Sequence, residues 1–183
     1  MPALDWTAAA GRPDLLAAPV AAALAAMGTA AGDVRVAAID PDLADTTAFC
    51  AAYGIAEEDS ANCVVVKGRR GGDERWAACM VLATTRADVN NVVRRHLDVR
   101  KISFAPMDEA VERTGMAYGG ITPVGLPAEW PVLLDARVTQ REAVVVGSGI
   151  RGSKLLLPPA LLAGLPGAVV LDGMATPVSP PTS

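Results

Sequence analysis

Residues 63–83 have the pattern of a β-hairpin, and this feature constrains the fold more than any other part of the sequence. The run Cys63-Val64-Val65-Val66-Lys67 is rich in β-branched residues, and Trp76–Ala83 is a second apolar run. The charged, glycine-rich segment Gly68–Glu74 separates the two runs. Short apolar runs joined in this way are typical of paired antiparallel strands. We therefore predict that the fold is built on a sheet containing this hairpin.

Further short apolar runs alternate with helical patterns along the chain. Strands are predicted at Val34–Ile39, Ile102–Ala105, Val132–Leu134, Ala143–Val146 and Leu155–Leu157. Helices are predicted at Pro13–Met27, Thr46–Tyr53, Asp88–Leu97 and Met107–Thr114, with Gly28, Gly54 and Gly115 as stop signals. Because strands outnumber helices and follow one another closely, the fold class is α+β with a mixed or antiparallel sheet.

The length of 183 residues suits one domain. We place this domain at residues 1–172. The end of the chain, residues 173–183, combines Pro177, Pro180 and Pro181 with Ser and Thr, so a disordered tail is expected there.

One histidine and three cysteines limit the chemistry that side chains can supply. Cys50, Cys63 and Cys79 form no C-x-x-C pair, so buried free thiols are expected rather than a zinc site or a redox dithiol. His96 lies in a polar helical stretch, where a surface position is expected. We therefore predict no metal and no cofactor, and a reaction that proceeds without imidazole.

The apolar segment 15–27 is too short to span a bilayer, and Pro19 interrupts it. Asp5 and Asp14 precede it, which argues against a signal peptide. We expect no membrane association and a cytoplasmic location.

Charge is distributed unevenly along the chain. Residues 1–66 carry two basic and nine acidic side chains, whereas residues 67–101 carry nine basic and four acidic ones. A local basic surface on an acidic protein suits a ligand with a few phosphates better than a long duplex, so no DNA partner is expected. The alternative is a solvated surface that binds nothing.

Two glycine-rich segments are candidates for ligand binding. Gly147–Lys154 nearly has the sequence of a P-loop, but Ser153 precedes the lysine and Pro158–Pro159 cannot continue as the phosphate-binding helix. Nucleoside triphosphate binding by this segment is therefore excluded. Gly115–Gly125 holds four glycines and one proline, so its N–H groups can face a ligand without steric cover. The alternative for this segment is a simple connecting loop.

Lys67 ends the first strand of the hairpin on the same face as Cys63 and Val65. A charge in that position either extends along the strand end to solvent or lies in a cleft, where it meets an anion or a carbonyl. The strand position by itself favours a Lys67 side chain that extends to solvent.

Taken in order, these segments resemble the YbaK/ProX family of aminoacyl-tRNA deacylases, which is also found as the editing domain of many bacterial prolyl-tRNA synthetases. The most specific part is the segment from Arg113 to Gly125, R-T-G-M-A-Y-G-G-I-T-P-V-G, followed by Leu133-Leu134-Asp135 and Gly147–Gly152. The resemblance covers roughly residues 46–165. It implies a mixed, mostly antiparallel sheet or partial barrel flanked by helices, and hydrolysis of mischarged tRNA.

By position, the resemblance also implies a deacylation pocket. The implied catalytic residues are Lys67, Gly119 and Gly120. The implied substrate-binding residues are Ile121, Thr122, Pro123, Gly125, Asp135, Gly147, Ser148 and Gly149.

An aminoacyl ester is already activated, so an enzyme mainly has to position it and stabilise the developing oxyanion. We expect N–H groups of Gly119–Pro123 to hold the carbonyl oxygen, and Lys67 to contact the terminal phosphate, the ribose or the carbonyl. The attacking group stays open among water, a ribose hydroxyl and the side chain of the substrate.

A synthetic site discriminates one methylene by only about 1–3 kcal/mol, so a second, size-limited pocket can correct its errors. The resemblance implies tRNA for proline as the carrier, and Ala, Cys, Ser and Thr all stay open as the wrong amino acid. The basic segment Lys67–Lys101 is expected to follow the acceptor end of the RNA, and a prolyl-tRNA synthetase is a further candidate partner. Two alternatives stay open. One is a non-catalytic tRNA- or protein-binding module on the same fold, and the other is an esterase that acts on a small aminoacyl ligand without the RNA body.

Overall fold

The computed structural model describes residues 3–178, which form two sheets, a two-stranded ribbon and surrounding helices. The strands are β1 (Thr7–Ala8), β2 (Arg35–Ala38), β3 (Ala61–Arg70), β4 (Asp73–Leu82), β5 (Thr85–Ala87), β6 (Lys101–Phe104), β7 (Val132–Asp135), β8 (Val144–Gly147), β9 (Ser153–Leu157), β10 (Ala168–Leu171) and β11 (Ala175–Pro177). The helices are α1 (Ala18–Met27), α2 (Thr46–Tyr53), α3 (Arg94–His96), α4 (Met107–Thr114), α5 (Ala136–Thr139) and α6 (Pro159–Ala163).

The larger sheet has the strand order β10-β7-β4-β3-β6, and the second sheet has the order β1-β2-β9-β8. Strand β7 runs parallel to its neighbours β10 and β4, while the other described pairs, including β11 with β5, are antiparallel. The predicted single-domain α+β fold with a mixed, mostly antiparallel sheet is therefore confirmed. The sheets do not close into a barrel.

The predicted hairpin forms, and its strands extend further than expected. Strands β3 and β4 pair from Ala61 opposite Leu82 to the turn at Gly71–Gly72. The charged residues of this segment continue the ladder because they pair across it: the Arg69 guanidinium lies 2.5 Å from a Glu74 carboxylate oxygen.

Helices α2 and α4 have the predicted bounds. Each ends at a glycine in the left-handed conformation, with φ 69° at Gly54 and φ 65° at Gly115. These two helix ends follow from the local sequence, because glycine adopts positive φ without a steric penalty.

Two other predicted helices differ from the structure. The helix expected from Pro13 begins only at Ala18, because Pro13–Leu15 form a separate 3-10 turn and Leu16 is extended. Pro19 occupies the first turn of the helix, where a missing N–H costs nothing. The helix expected over 88–97 is a π-helical turn, Val89–Val93, that continues into α3.

The predicted disordered tail is wrong over residues 173–178. Met174 is fully buried, and Ala175 donates its N–H to the buried carboxylate of Asp135 over 2.7 Å. Strand β11 pairs with β5, so the ordered domain continues past residue 172. The rest of the predicted tail, residues 179–183, lies outside the described residues.

The core has one layer on each face of the larger sheet, and small aliphatic side chains dominate both. The layer between the two sheets includes Val36, Met80, Leu134 and Leu155, and the layer on the opposite face includes Val66, Ala77, Cys79 and Val93. Within residues 3–178, no helix has the length and apolarity that crossing a bilayer requires.

Candidate active site

A cavity of about 380 Å³ lies beside the first half of β3, where the glycine segment Gly115–Gly125 meets the loop before β9. Its volume falls within the range of small-molecule sites. The apolar lining includes Ala44, Ala61, Cys63, Val64, Val65, Ala105, Ala110 and Ile121. The remaining lining residues are Asp45, Thr46, Asn62, Phe104, Met107, Tyr118, Gly119, Gly147, Arg151 and Lys154.

One wall of the cavity is made by two glycine segments that are joined through their backbones. Gly149 donates its N–H to the carbonyl oxygen of Gly120 over 2.7 Å, and Ala117 donates to the carbonyl oxygen of Gly149 over 2.8 Å. A Cβ atom at position 120 would lie 2.5 Å from the carbonyl oxygen of Ile150, so only glycine allows this approach. The predicted meeting of Gly119–Pro123 with Gly147–Gly149 is therefore a backbone contact.

Two residues of this wall have N–H groups without a hydrogen-bond partner in the range 3–178. Gly119, with φ 82°, and Ile121 both line the cavity, and their N–H groups make no hydrogen bond with any residue in the range 3–178. The N–H of Gly120 donates instead to the carbonyl oxygen of Ala117 over 2.9 Å. Gly120, which is not among the lining residues, therefore shapes the turn, while Gly119 and Ile121 lie at the cavity.

The structure places Lys67 outside this cavity. Its ammonium lies 2.6 Å from a Glu109 carboxylate oxygen and 3.1 Å from one of Glu74, and 5.1 Å from the centre of the Trp76 ring. The Glu109 carboxylate, more than any other group, raises the pKa of Lys67. Lys67 has the strand face that the sequence predicted, but it lies two residues beyond Val65, where the cavity ends.

The three predicted residues of the segment Gly147–Gly149 differ in burial. Gly147 lines the cavity, whereas Ser148 and Gly149 are buried behind it. The Ser148 hydroxyl is 2.7 Å from the Ser153 hydroxyl, which itself donates to the carbonyl oxygen of Leu15. Ser148 and Gly149 therefore hold the wall in place without facing its open side.

Four further predicted residues do not line the cavity. Thr122 is fully buried and its hydroxyl has no partner within the described chain. Pro123 and Gly125 face a second, apolar cavity of about 620 Å³ beside α6. The Asp135 carboxylate is 1% exposed; it accepts the N–H of Arg137 at the start of α5 and that of Ala175. Asp135 thus stabilises the start of α5 and the attachment of β11.

Two cations at the cavity were not assigned from the sequence. Lys154 of β9 is buried and donates to the carbonyl oxygen of Ala44 over 2.8 Å. Arg151 also lines the cavity; its guanidinium lies beside Gly119 and donates to the carbonyl oxygen of Pro41 over 2.8 Å. The cue that singled out Lys67, a lysine within an apolar strand, applies equally to Lys154.

Cys63 is the one cysteine that lines the cavity within the described chain. Burial raises the pKa of its thiol well above the ordinary value, so the thiol stays protonated at neutral pH. Cys63 therefore contributes an apolar surface and is a poor nucleophile.

The rim of the cavity is apolar and exposed. Phe104 at the end of β6 is 61% exposed and Tyr118 of the glycine segment is 60% exposed, with Met107 beside them at 51%. Large apolar side chains exposed together indicate a binding surface.

Residues 40–165 match the family model of the aminoacyl-tRNA editing domain. EbsC of Enterococcus faecalis, provisionally assigned as a Cys-tRNA(Pro)/Cys-tRNA(Cys) deacylase, is 29% identical over 80 residues, which are 39% of this chain and 49% of EbsC. The chain thus matches about half of the length of this curated relative.

The fold is similar to that of solved structures. A proposed trans-editing enzyme for prolyl-tRNA synthetase has a TM-score of 0.72 and 25% identity, over 85% of this chain and 94% of that chain. A proposed signal transduction protein from Marinobacter aquaeolei shares the fold with a TM-score of 0.55 and 21% identity, over 86% of this chain and 30% of that chain.

The lining residues of the cavity, from Ala44 to Lys154, lie inside the matched range 40–165. Since this match spans more than half of the sequence and contains the whole cavity lining, the chain belongs to the aminoacyl-tRNA editing domain family.

Proposed function

We propose that this protein hydrolyses the ester bond of mischarged aminoacyl-tRNA in trans, with tRNA for proline carrying a small wrong amino acid as the substrate class. The observation that carries the proposal is the cavity at the joined glycine segments, where the N–H groups of Gly119 and Ile121 have no partner among residues 3–178. The similarity to EbsC and to the proposed trans-editing enzyme supports the same reaction.

The cavity suits an already activated ester. The N–H groups of Gly119 and Ile121 lie on a wall fixed by backbone hydrogen bonds, so they need no rearrangement when charge develops on the carbonyl oxygen. Positioning and oxyanion stabilisation are the main requirements of this reaction. Water is the attacking group in the proposed reaction.

The lining favours a small amino acid. Cys63, Val65, Ala105 and Ile121 give the cavity an apolar surface, and its volume of about 380 Å³ is shared between the aminoacyl group and the terminal ribose. Ala, Cys, Ser and Thr belong to the size class that such a site accepts.

The rim suits the terminal base of the RNA. Exposed Phe104 and Tyr118 offer aromatic faces on which an unpaired base stacks. Strand β6 is an edge strand of the larger sheet, and Lys101 at its other end is exposed. We place the terminal adenine at the rim and the neighbouring phosphates along β6 towards Lys101.

Only part of the basic segment is free for this contact. Arg69 is ion-paired with Glu74, and Arg70 and Arg75 are both ion-paired with Asp98. The acceptor end is therefore expected to use Lys101 more than the hairpin arginines.

The experiment is a deacylation assay with tRNA for proline charged with Ala, Cys, Ser or Thr, beside correctly charged tRNAs. A cavity-filling variant, Ala105→Leu, tests whether this cavity holds the cargo. Ala160→Leu is the matched control, because it adds the same volume to the second cavity.

Selective release from a mischarged tRNA that Ala105→Leu abolishes and Ala160→Leu leaves intact supports the proposal. Release from no mischarged tRNA contradicts it and favours a non-catalytic binding module. Release from aminoacyl-adenosine as fast as from the whole tRNA favours an esterase that does not need the RNA body. Co-purification with a prolyl-tRNA synthetase is the separate test of that partner.

A further inference from the structure

Lys154 is a buried cation whose surroundings do not compensate its charge. Its residue is 6% exposed, and no carboxylate of residues 3–178 lies within ion-pairing distance of its ammonium. The ammonium donates to the carbonyl oxygen of Ala44 and lies 5.2 Å from the centre of the Phe49 ring. Lys67, in contrast, meets two carboxylates.

The position of Lys154 in the sheet directs it towards the glycine wall. Lys154 is the cross-strand partner of Gly147, and cross-strand partners lie on the same face of a sheet. Gly147 has no side chain, and a Cβ there would lie 2.8 Å from the carbonyl oxygen of Ile121. Lys154 therefore lines the same cavity as the free N–H groups of Gly119 and Ile121.

A purely structural role accounts poorly for this arrangement. One carbonyl oxygen satisfies one of the three N–H donors of an ammonium, and a buried charge without a counter-charge is costly to the fold. A neutral side chain at position 154 would avoid this cost. Burial lowers the pKa of Lys154, while Cys50 and Asp45 raise it and Arg151 lowers it further. An uncompensated cation facing a cavity is the arrangement expected where a ligand supplies the missing acceptor.

We propose that Lys154 is a catalytic residue of this cavity, and that its ammonium donates a hydrogen bond to the carbonyl oxygen of the aminoacyl ester. This inference rests on the proposed deacylase function and identifies the cation that serves it. The water oxygen bonds to the carbonyl carbon, and the bond from that carbon to the ribose oxygen breaks. The ribose oxygen gains one proton and the attacking water loses one, while Lys154 keeps its proton throughout.

The experiment compares three variants. Lys154→Met removes the charge and keeps the length of the side chain. Lys154→Gln also removes the charge but keeps an N–H donor for Ala44. Arg35→Met is the control, because it removes an exposed cation of the same sheet that does not line the cavity. The readouts are kcat and KM for deacylation, the melting temperature, and the Kd of a non-hydrolysable 3′-alanylamido analogue of adenosine.

We expect kcat to fall roughly 100- to 1000-fold in both Lys154 variants, as for the loss of one oxyanion donor. The analogue should bind about tenfold more weakly, because a hydrogen bond from a charged donor is lost. The melting temperature should equal or exceed that of the wild type, because a buried charge has been removed. Arg35→Met should match the wild type in every readout.

Near wild-type kcat in either Lys154 variant overturns the inference. A fall in melting temperature large enough to explain the lost activity also overturns it, since Lys154 would then be structural. Analogue binding that depends on Lys154, without turnover by the wild type, supports the contact and refutes the deacylase reaction. Failure of the wild type to bind the analogue overturns the contact itself.

Discussion

Gly149 and Gly120 are joined by a hydrogen bond of 2.7 Å from the N–H of Gly149 to the carbonyl oxygen of Gly120. These residues come from two segments that are distant in the sequence, and the bond makes them one wall. The absence of side chains lets the two backbones approach this closely, and the backbone hydrogen bonds fix the wall.

The first prediction concerns the fit of this wall. In Gly147→Ala, the new Cβ would lie 2.8 Å from the carbonyl oxygen of Ile121, and the backbone must shift. Overpacking of this kind costs about 1–3 kcal/mol of unfolding free energy. Urea denaturation should show that loss, and deacylation should fall with it. Gly152→Ala is the matched control, because its Cβ meets only Pro41, at 3.8 Å. Equal stability of the two variants would contradict the backbone contact.

The second prediction separates the two lysines. Lys67→Met should lower the melting temperature, because Glu109 and Glu74 lose a shared cation and α4 loses its tie to β3. Its kcat should fall far less than that of Lys154→Met, since Lys67 does not line the cavity. Thermal unfolding and steady-state kinetics check both parts. A loss of kcat in Lys67→Met at unchanged melting temperature would restore the catalytic role implied by the family resemblance.

The third prediction concerns the rim. Phe104→Leu and Tyr118→Leu keep an apolar side chain but remove the aromatic face. If the terminal base stacks there, KM should rise roughly 5- to 150-fold, since stacking of one base contributes about 1–3 kcal/mol. The change should be small in kcat. Val170→Ala, at an exposed apolar residue of β10, serves as the control. An unchanged KM in both aromatic variants would place the base elsewhere.

The fourth prediction uses the pH dependence of stability. Burial lowers the pKa of Lys154 from the ordinary value of 10.5. Between the lowered pKa and 10.5, the unfolded chain binds more protons at Lys154 than the folded protein does. The contribution of Lys154 to the free energy of unfolding therefore becomes more favourable to the fold as the pH rises. The stability advantage of Lys154→Met over the wild type should therefore shrink as the pH rises towards 10.5. Denaturation curves of both proteins across this pH range measure the difference in their free energies of unfolding. A difference that does not change with pH would show that the pKa of Lys154 is not lowered.

Local sequence patterns determined the hairpin, two helix ends and the family of this protein. The hairpin of β3 and β4 follows from two apolar runs around a glycine turn, and the ends of α2 and α4 follow from Gly54 and Gly115. The segment from Arg113 to Gly125 was specific enough to predict the family, which the match over residues 40–165 confirms. Each of these features depends on residues that are neighbours in the chain, so the sequence alone contained them.

Only the tertiary structure decided which polar groups meet. Lys67 and Lys154 have the same appearance in the sequence, a lysine among apolar strand residues, yet one meets two carboxylates and the other faces the cavity. The sequence also did not predict the burial of Met174 or the two backbone N–H groups that Asp135 accepts. These outcomes depend on strand pairings between distant segments, because an ion pair or a burial is fixed by what the rest of the fold places opposite each side chain.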